Sequence, residues 1–126
     1  MTNNATIWLI DDDDSIRWVL DRALSKAGYH TEIFSTADDA LHHLQSSLPE
    51  VIVTDIRMPG IDGNGVVEHI RKSKKQAIPV IAISGTPWLM EADDFDMVLS
   101  KPFPVRQLIE SIRSLLPLPP RAAVGA

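Results

Sequence analysis

Short runs of consecutive apolar residues, each followed by a longer segment of helical period, limit what this chain can fold into. Residues 7–10 (Ile, Trp, Leu, Ile), 51–54 and 79–84 are apolar at nearly every position, and 30–34 and 97–99 read as two further short strands. A strand with no polar alternation is covered on both faces, and a parallel sheet with helices on each side provides that cover. The first run leads into a helix from about Ser15, with Ile16, Val19, Leu20, Ala23, Leu24 and Ala27 on one stripe and Gly28 as the stop. Ser35 or Thr36 can cap a second helix, which turns Ala37, Ala40, Leu41 and Leu44 inward before Pro49 breaks the chain. The pairs Pro59–Gly60 and Asp62–Gly63 mark a turn-rich loop, after which Val66, Val67 and Ile70 begin a third helix. Val105, Leu108, Ile109, Ile112, Leu115 and Leu116 define the last helix. The expected architecture is α/β, a doubly wound five-stranded parallel sheet with helices on both faces.

Only 16 residues lie between 85 and 100, barely the dozen or so that a parallel crossover needs. A shortened fourth helix of one or two turns, or none, is therefore predicted there. A chain of 126 residues, 44% hydrophobic, has room for one core, placed at 1–116, with the proline-rich residues 117–126 as a flexible tail. The absence of cysteine excludes disulfides, thiolate zinc sites and thiol nucleophiles. A net charge of −5 argues against direct binding of nucleic acid. Residues 1–6 carry no basic start of a secretory leader, and no apolar run approaches the roughly 18 residues of a membrane span, so a cytoplasmic location without membrane contact is expected.

In a doubly wound sheet, ligands bind beyond the carboxyl ends of the strands. There the first strand runs into Asp11, Asp12, Asp13 and Asp14, the third into Asp55, the fourth into Ser84, and the fifth, past Ser100, into Lys101 and Pro102. Carboxylates within about 4 Å repel by about 4 kcal/mol per pair at an effective dielectric near 20, and so call for a cation. All-oxygen ligands favour Mg²⁺ or a similar ion, which keeps open positions for phosphate oxygens. An aspartate nucleophile with a metal, a lysine and a hydroxyl forms a complete set for phosphoryl transfer. Each residue alone has a plainer reading: Asp13 and Asp14 suit a helix cap, and a single Asp, Ser or Lys-Pro after a strand is ordinary. Only their joint placement after four strands is specific.

Across residues 7 to about 116 the sequence resembles the receiver domain of two-component response regulators. The resemblance rests on Asp11 and Asp12 after Leu9 and Ile10, on Thr54-Asp-Ile-Arg-Met-Pro-Gly-Ile-Asp-Gly63, on Ser84-Gly85 and on Lys101-Pro-Phe103. The Ser15-Ile-Arg-Trp-Val-Leu20 segment is similar to receivers of NtrC-type regulators. The resemblance implies the flavodoxin-like strand order 2-1-3-4-5. It also implies that Asp55 accepts a phosphoryl group from a histidine kinase or phosphotransfer protein. Asp12 would bind Mg²⁺ directly and Asp11 largely through water, with Asp55 and the backbone carbonyl of Arg57 completing the protein ligands. Ser84 and Lys101 would hold phosphoryl oxygens, and the Lys101–Pro102 peptide would be cis. Such a domain is a phosphorylation-controlled switch acting on a further protein partner, not an enzyme with a separate substrate.

Some positions depart from the family pattern. Val98 stands where receivers usually carry Tyr or Phe, which puts a ring-based relay in doubt. Together with the short 85–100 span it keeps a pseudo-receiver, binding partners without phosphorylation, as an alternative. A haloacid-dehalogenase-type phosphatase would need an acid two residues after Asp55, where this chain has Arg57. Trp18 falls nearly opposite the apolar stripe of the first helix, a candidate docking point for the phosphodonor. Trp88 suits core filling better than an interface. His30, His42, His43 and His69 share no ligand spacing, and Lys72, Lys74 and Lys75 read as the solvated end of the third helix.

Overall fold

The computed structural model describes residues 5–58, 60–73, 77–85 and 95–116. Five strands, β1 (Thr6–Ile10), β2 (His30–Phe34), β3 (Val51–Asp55), β4 (Val80–Ser84) and β5 (Met97–Ser100), form one sheet in the order β2-β1-β3-β4-β5, every neighbouring pair parallel. The helices among the described residues are α1 (Asp14–Lys26), α2 (Ala37–His43), α3 (Gly63–Arg71) and α4 (Val105–Leu115). The predicted shortened helix, Trp88 and the tail at 117–126 fall on or include residues outside the described ones.

Strand side chains point alternately to opposite faces, and the core divides accordingly. Ile7, Leu9, Val51, Val53, Ile81 and Ile83 pack with Leu20 and Leu24 of α1 and Leu108 and Ile112 of α4. Trp8, Ile10, Ile52 and Val80 pack on the other face with Ala37 and Ala40 of α2 and Val66, Val67 and Ile70 of α3. Each fully buried Leu or Ile contributes roughly 1.5–3 kcal/mol. The central strands β1, β3 and β4 have no polar face because both their faces are core, whereas the edge strands β2 and β5 are partly exposed.

The helix ends follow local chemistry. The Asp13 side chain accepts from the Ser15 and Ile16 N–H groups at 2.9 and 3.2 Å and caps α1, while Thr36 accepts from Asp39 N at 3.2 Å to cap α2. Past the far end of α1, Gly28 takes φ 99°, and Gly28 N and Tyr29 N donate to the carbonyls of Ser25 and Leu24, closing a Schellman turn. The start of α3 differs from expectation. Asp62 caps it, accepting from Gly65 N at 3.0 Å, so the helix opens at Gly63, within the stretch predicted as loop. Gly63 packs so tightly on the end of β3 that a Cβ there would stand 2.5 Å from the Asp55 carbonyl oxygen.

Two residues of the predicted α1 stripe are exposed, Val19 and Ala27. At 100° per residue Val19 lies about 100° from Leu20, the centre of the buried stripe, and Ala27 is the C-terminal cap. Trp18, farther round the helix, is 62% exposed, as its position predicted.

Candidate functional site

The register brings the predicted residues to one edge. Ile10 is opposite Thr54, Asp55 opposite Ile83, and Ser84 opposite Ser100, so Asp11, Asp55, Ser84 and Lys101 all emerge at the carboxyl end of the sheet. The Lys101 N–H extends the ladder by donating to the Ser84 carbonyl at 2.8 Å. The Lys101–Pro102 peptide is cis.

Asp11 is held at several points. Its N–H donates to the Phe34 carbonyl at 3.2 Å, and its Oδ1 accepts from the Asp13 N–H at 2.9 Å. Its Oδ2 is buried without a hydrogen bond and faces Lys101 Nζ at 3.7 Å. Asp55 is similarly divided: Oδ1 accepts from its neighbour's N–H, Ile56 N, at 2.8 Å, while Oδ2 lies 3.5 Å from Lys101 Nζ. Thr54, fully buried, donates from Oγ1 to the Asp55 carbonyl at 2.9 Å and fixes the backbone there. Asp12 is exposed at the rim.

One carboxylate oxygen from each of Asp11, Asp12 and Asp55 falls within a set whose members lie within 4.8 Å of one another. Three carboxylates and one ammonium leave two net negative charges on a small patch, which a divalent cation neutralises. Oxygens at 2.0–2.1 Å around an octahedral Mg²⁺ are about 2.9 Å apart when adjacent and about 4 Å when opposite, so the three carboxylates are near enough to share one ion once they draw together or bind in part through water. The orphaned Asp11 Oδ2 is the atom that most lacks a partner, and the donor set fits a hard cation. Burial, the largest influence, raises the Asp11 carboxyl above its ordinary range; the Asp13 N–H and Lys101 oppose the rise, while Asp55 and Asp12 add to it.

Of the remaining predicted residues, Ser84 is buried at the end of β4, and Arg57 is exposed just past β3. Val98 lies on edge strand β5, 40% exposed. All four histidines are exposed; the His43 ring also lies tilted against Phe34, centroids 5.1 Å apart. Lys72 pairs with Glu68 at 2.7 Å, an ordinary exposed helix pair, while Lys74 and Lys75 lie outside the described residues. Sequence reasoning missed Arg17. It donates to the Asp11 carbonyl and to the Asp14 carboxylate, and the only signal for it was the Asp14/Arg17 spacing of three on a helix.

Beside the acidic edge, Ile16, Val19 and Leu20 of α1 and Lys101, Pro102, Phe103 and Val105 line an apolar groove of about 550 Å³. Among the described residues no helix is long and apolar enough to cross a membrane.

Comparison with known proteins agrees with this geometry. The sequence model of the response regulator receiver domain matches residues 7–113. The DNA-binding transcriptional regulator NtrC of Salmonella typhimurium is 44% identical over 78 residues, 62% of this chain and 16% of that protein. The probable transcriptional regulator ycf27 of Guillardia theta is 33% identical over 126 residues, 95% of this chain and 48% of its own length. The chain thus spans a sixth to a half of these relatives. Among solved structures, response regulator TrrA of Thermotoga maritima in complex with Mg²⁺–BeF superposes with a TM-score of 0.81 at 29% identity, covering 89% of this chain and 99% of that one. Chemotaxis response regulator CheY4 of Vibrio cholerae gives 0.82 at 25% identity, covering 90% and 100%.

Proposed function

Because the chain belongs to the response regulator receiver domains of two-component systems, we propose that Asp55 is its phosphoacceptor and that its acidic edge works with Mg²⁺. The observation that carries this reading is the division of Asp55: one oxygen is tied to the Ile56 N–H, and the other is turned toward Lys101 beside Asp11 and Asp12. The Mg²⁺–BeF complex of the Thermotoga relative supports it.

In the proposed step Asp55 Oδ2 attacks the phosphorus of a phosphohistidine on a histidine kinase or phosphotransfer protein. The O–P bond forms as the P–N bond breaks, and the imidazole leaves with the electron pair. Asp11, Asp12, Asp55 and the Arg57 carbonyl would hold Mg²⁺, which when bound offsets charge on the phosphoryl oxygens. Lys101 Nζ, already between Asp11 and Asp55, pairs with one phosphoryl oxygen, and the Ser84 hydroxyl donates to another. The Ile56 N–H keeps the Asp55 carboxylate from rotating. Residues 1–116 act as the receiver, in the cytoplasm, and signal by shifting between two conformations that a protein partner distinguishes. The apolar groove beside Lys101, with exposed Trp18 and Val19 on the same helix, suits the phosphodonor's docking, since a donor bound there faces the acidic edge.

Fluoroberyllate with MgCl₂ tests the site without a cognate kinase. Amide shifts centred on residues 11, 55, 84 and 101, absent from Asp55→Asn, are the expected result. A folded parent protein whose spectrum does not change would overturn the reading.

A further inference from the structure

Arg17 is a charged side chain of α1 that is only 13% exposed, and both its terminal nitrogens, Nη1 and Nη2, are committed. Nη1 donates to the backbone carbonyl of Asp11 at 2.5 Å, and Nη2 to the Asp14 carboxylate. The Asp11 carbonyl belongs to the peptide plane that joins Asp11 to Asp12. With the Asp11 N–H tied to Phe34 and its Oδ1 to the Asp13 N–H, the Arg17 bond adds a third tether to this turn, on the peptide plane that leads into the exposed Asp12. Asp14 meanwhile offsets the guanidinium charge, which would otherwise oppose a cation a few residues away.

We infer that Arg17 is a positioning residue for the divalent-cation site: it holds the Asp11–Asp12 peptide so that both carboxylates converge on one ion. The inference rests on the reading of the acidic edge as a Mg²⁺ site. The sign of the effect separates it from the plainer role of a helix-end ion pair. By charge alone, removing a cation near the site tightens Mg²⁺ binding. Loss of a group that orients metal ligands weakens it, typically by 10–100-fold.

The test is titration of the whole chain with MgCl₂ at constant ionic strength, followed by calorimetry and by the Mg²⁺-induced rise in Tm. Arg17→Met, which keeps the aliphatic stem, and Arg17→Ala are compared with Arg17→Lys, which keeps one donor for the Asp11 carbonyl. The expected result is a Kd raised on the order of tenfold in Arg17→Met and Arg17→Ala, with substantial recovery in Arg17→Lys. Mg²⁺ binding by Arg17→Met that is unchanged or tighter overturns the inference even where its metal-free Tm falls, since that is the mark of a purely structural ion pair. If Arg17→Met and Arg17→Ala do not fold, Arg17→Gln, which is neutral and too short to keep the Asp11 contact, decides: a Kd raised on the order of tenfold supports the positioning role, and an unchanged or tighter Kd overturns it. A parent protein that binds no Mg²⁺ overturns the acidic-edge reading itself, and this inference with it.

Discussion

At Asp11, burial and the carboxylates of Asp55 and Asp12 oppose the charged form, so its folded-state pKa lies above the ordinary value. At a pH between the ordinary value and the raised one, the metal-free folded state then holds more of this proton than the unfolded chain does. Stability from this residue is present below the ordinary aspartate pKa and is lost as the pH rises through the raised folded value. Asp11→Asn should therefore stabilise the metal-free protein at neutral pH and flatten this part of the pH profile. Thermal melts in EDTA from pH 4 to 8 check it; a variant less stable than the parent at pH 7 would contradict the electrostatic account. Asp11, Asp55, Ser84 and Lys101 were legible because each stands at or just past the end of a strand, and strand ends are easily placed. Arg17 was not, because its contact with the Asp11 carbonyl depends on how the turn folds back over α1.

The elements carry the site through close backbone contacts. The amino end of α3 touches the end of β3, where Gly63 N donates to the Ile56 carbonyl at 3.0 Å and no side chain fits. Gly63→Ala forces the strand end away from α3 and should cost on the order of 2 kcal/mol, as overpacking of a tight site does, read as a lower urea midpoint. A midpoint equal to the parent's would show that the contact yields freely. The sequence marked this place only as a turn, because Asp62–Gly63 suits a turn and a capped helix start equally. On α1 the pattern placed Trp18 outside correctly but put Val19 inside, since a wide apolar stripe does not reveal where the helix leaves the sheet. Trp18→Ala should leave stability within about 0.5 kcal/mol yet slow transfer from a phosphorylated histidine phosphotransfer domain about tenfold, the loss of one interface anchor. Single-turnover transfer kinetics measure this, and an unchanged rate would remove Trp18 from the docking surface.

For the molecule as a whole, the order β2-β1-β3-β4-β5 makes the acidic edge possible. Placing β1 and β3 side by side at the centre sets Asp11 beside Asp55, and β4 and β5 then bring Ser84 and Lys101 in from one flank. Continuous apolar runs made the layered fold readable from the sequence, because only a sheet covered on both sides buries them. The pairing of charges did not follow from the pattern: Lys101 nearly equidistant from two carboxylates, at 3.5 and 3.7 Å, is a product of the register. The central claim is that this edge makes Asp55 a Mg²⁺-dependent phosphoacceptor. The most direct measurement is the intact mass of the protein after brief incubation with acetyl phosphate, with MgCl₂ or EDTA, beside Asp55→Asn. A single phosphoryl adduct that needs Mg²⁺ and is absent from the variant is the predicted result; a folded parent protein that gains no adduct, or an adduct retained in Asp55→Asn, would contradict it.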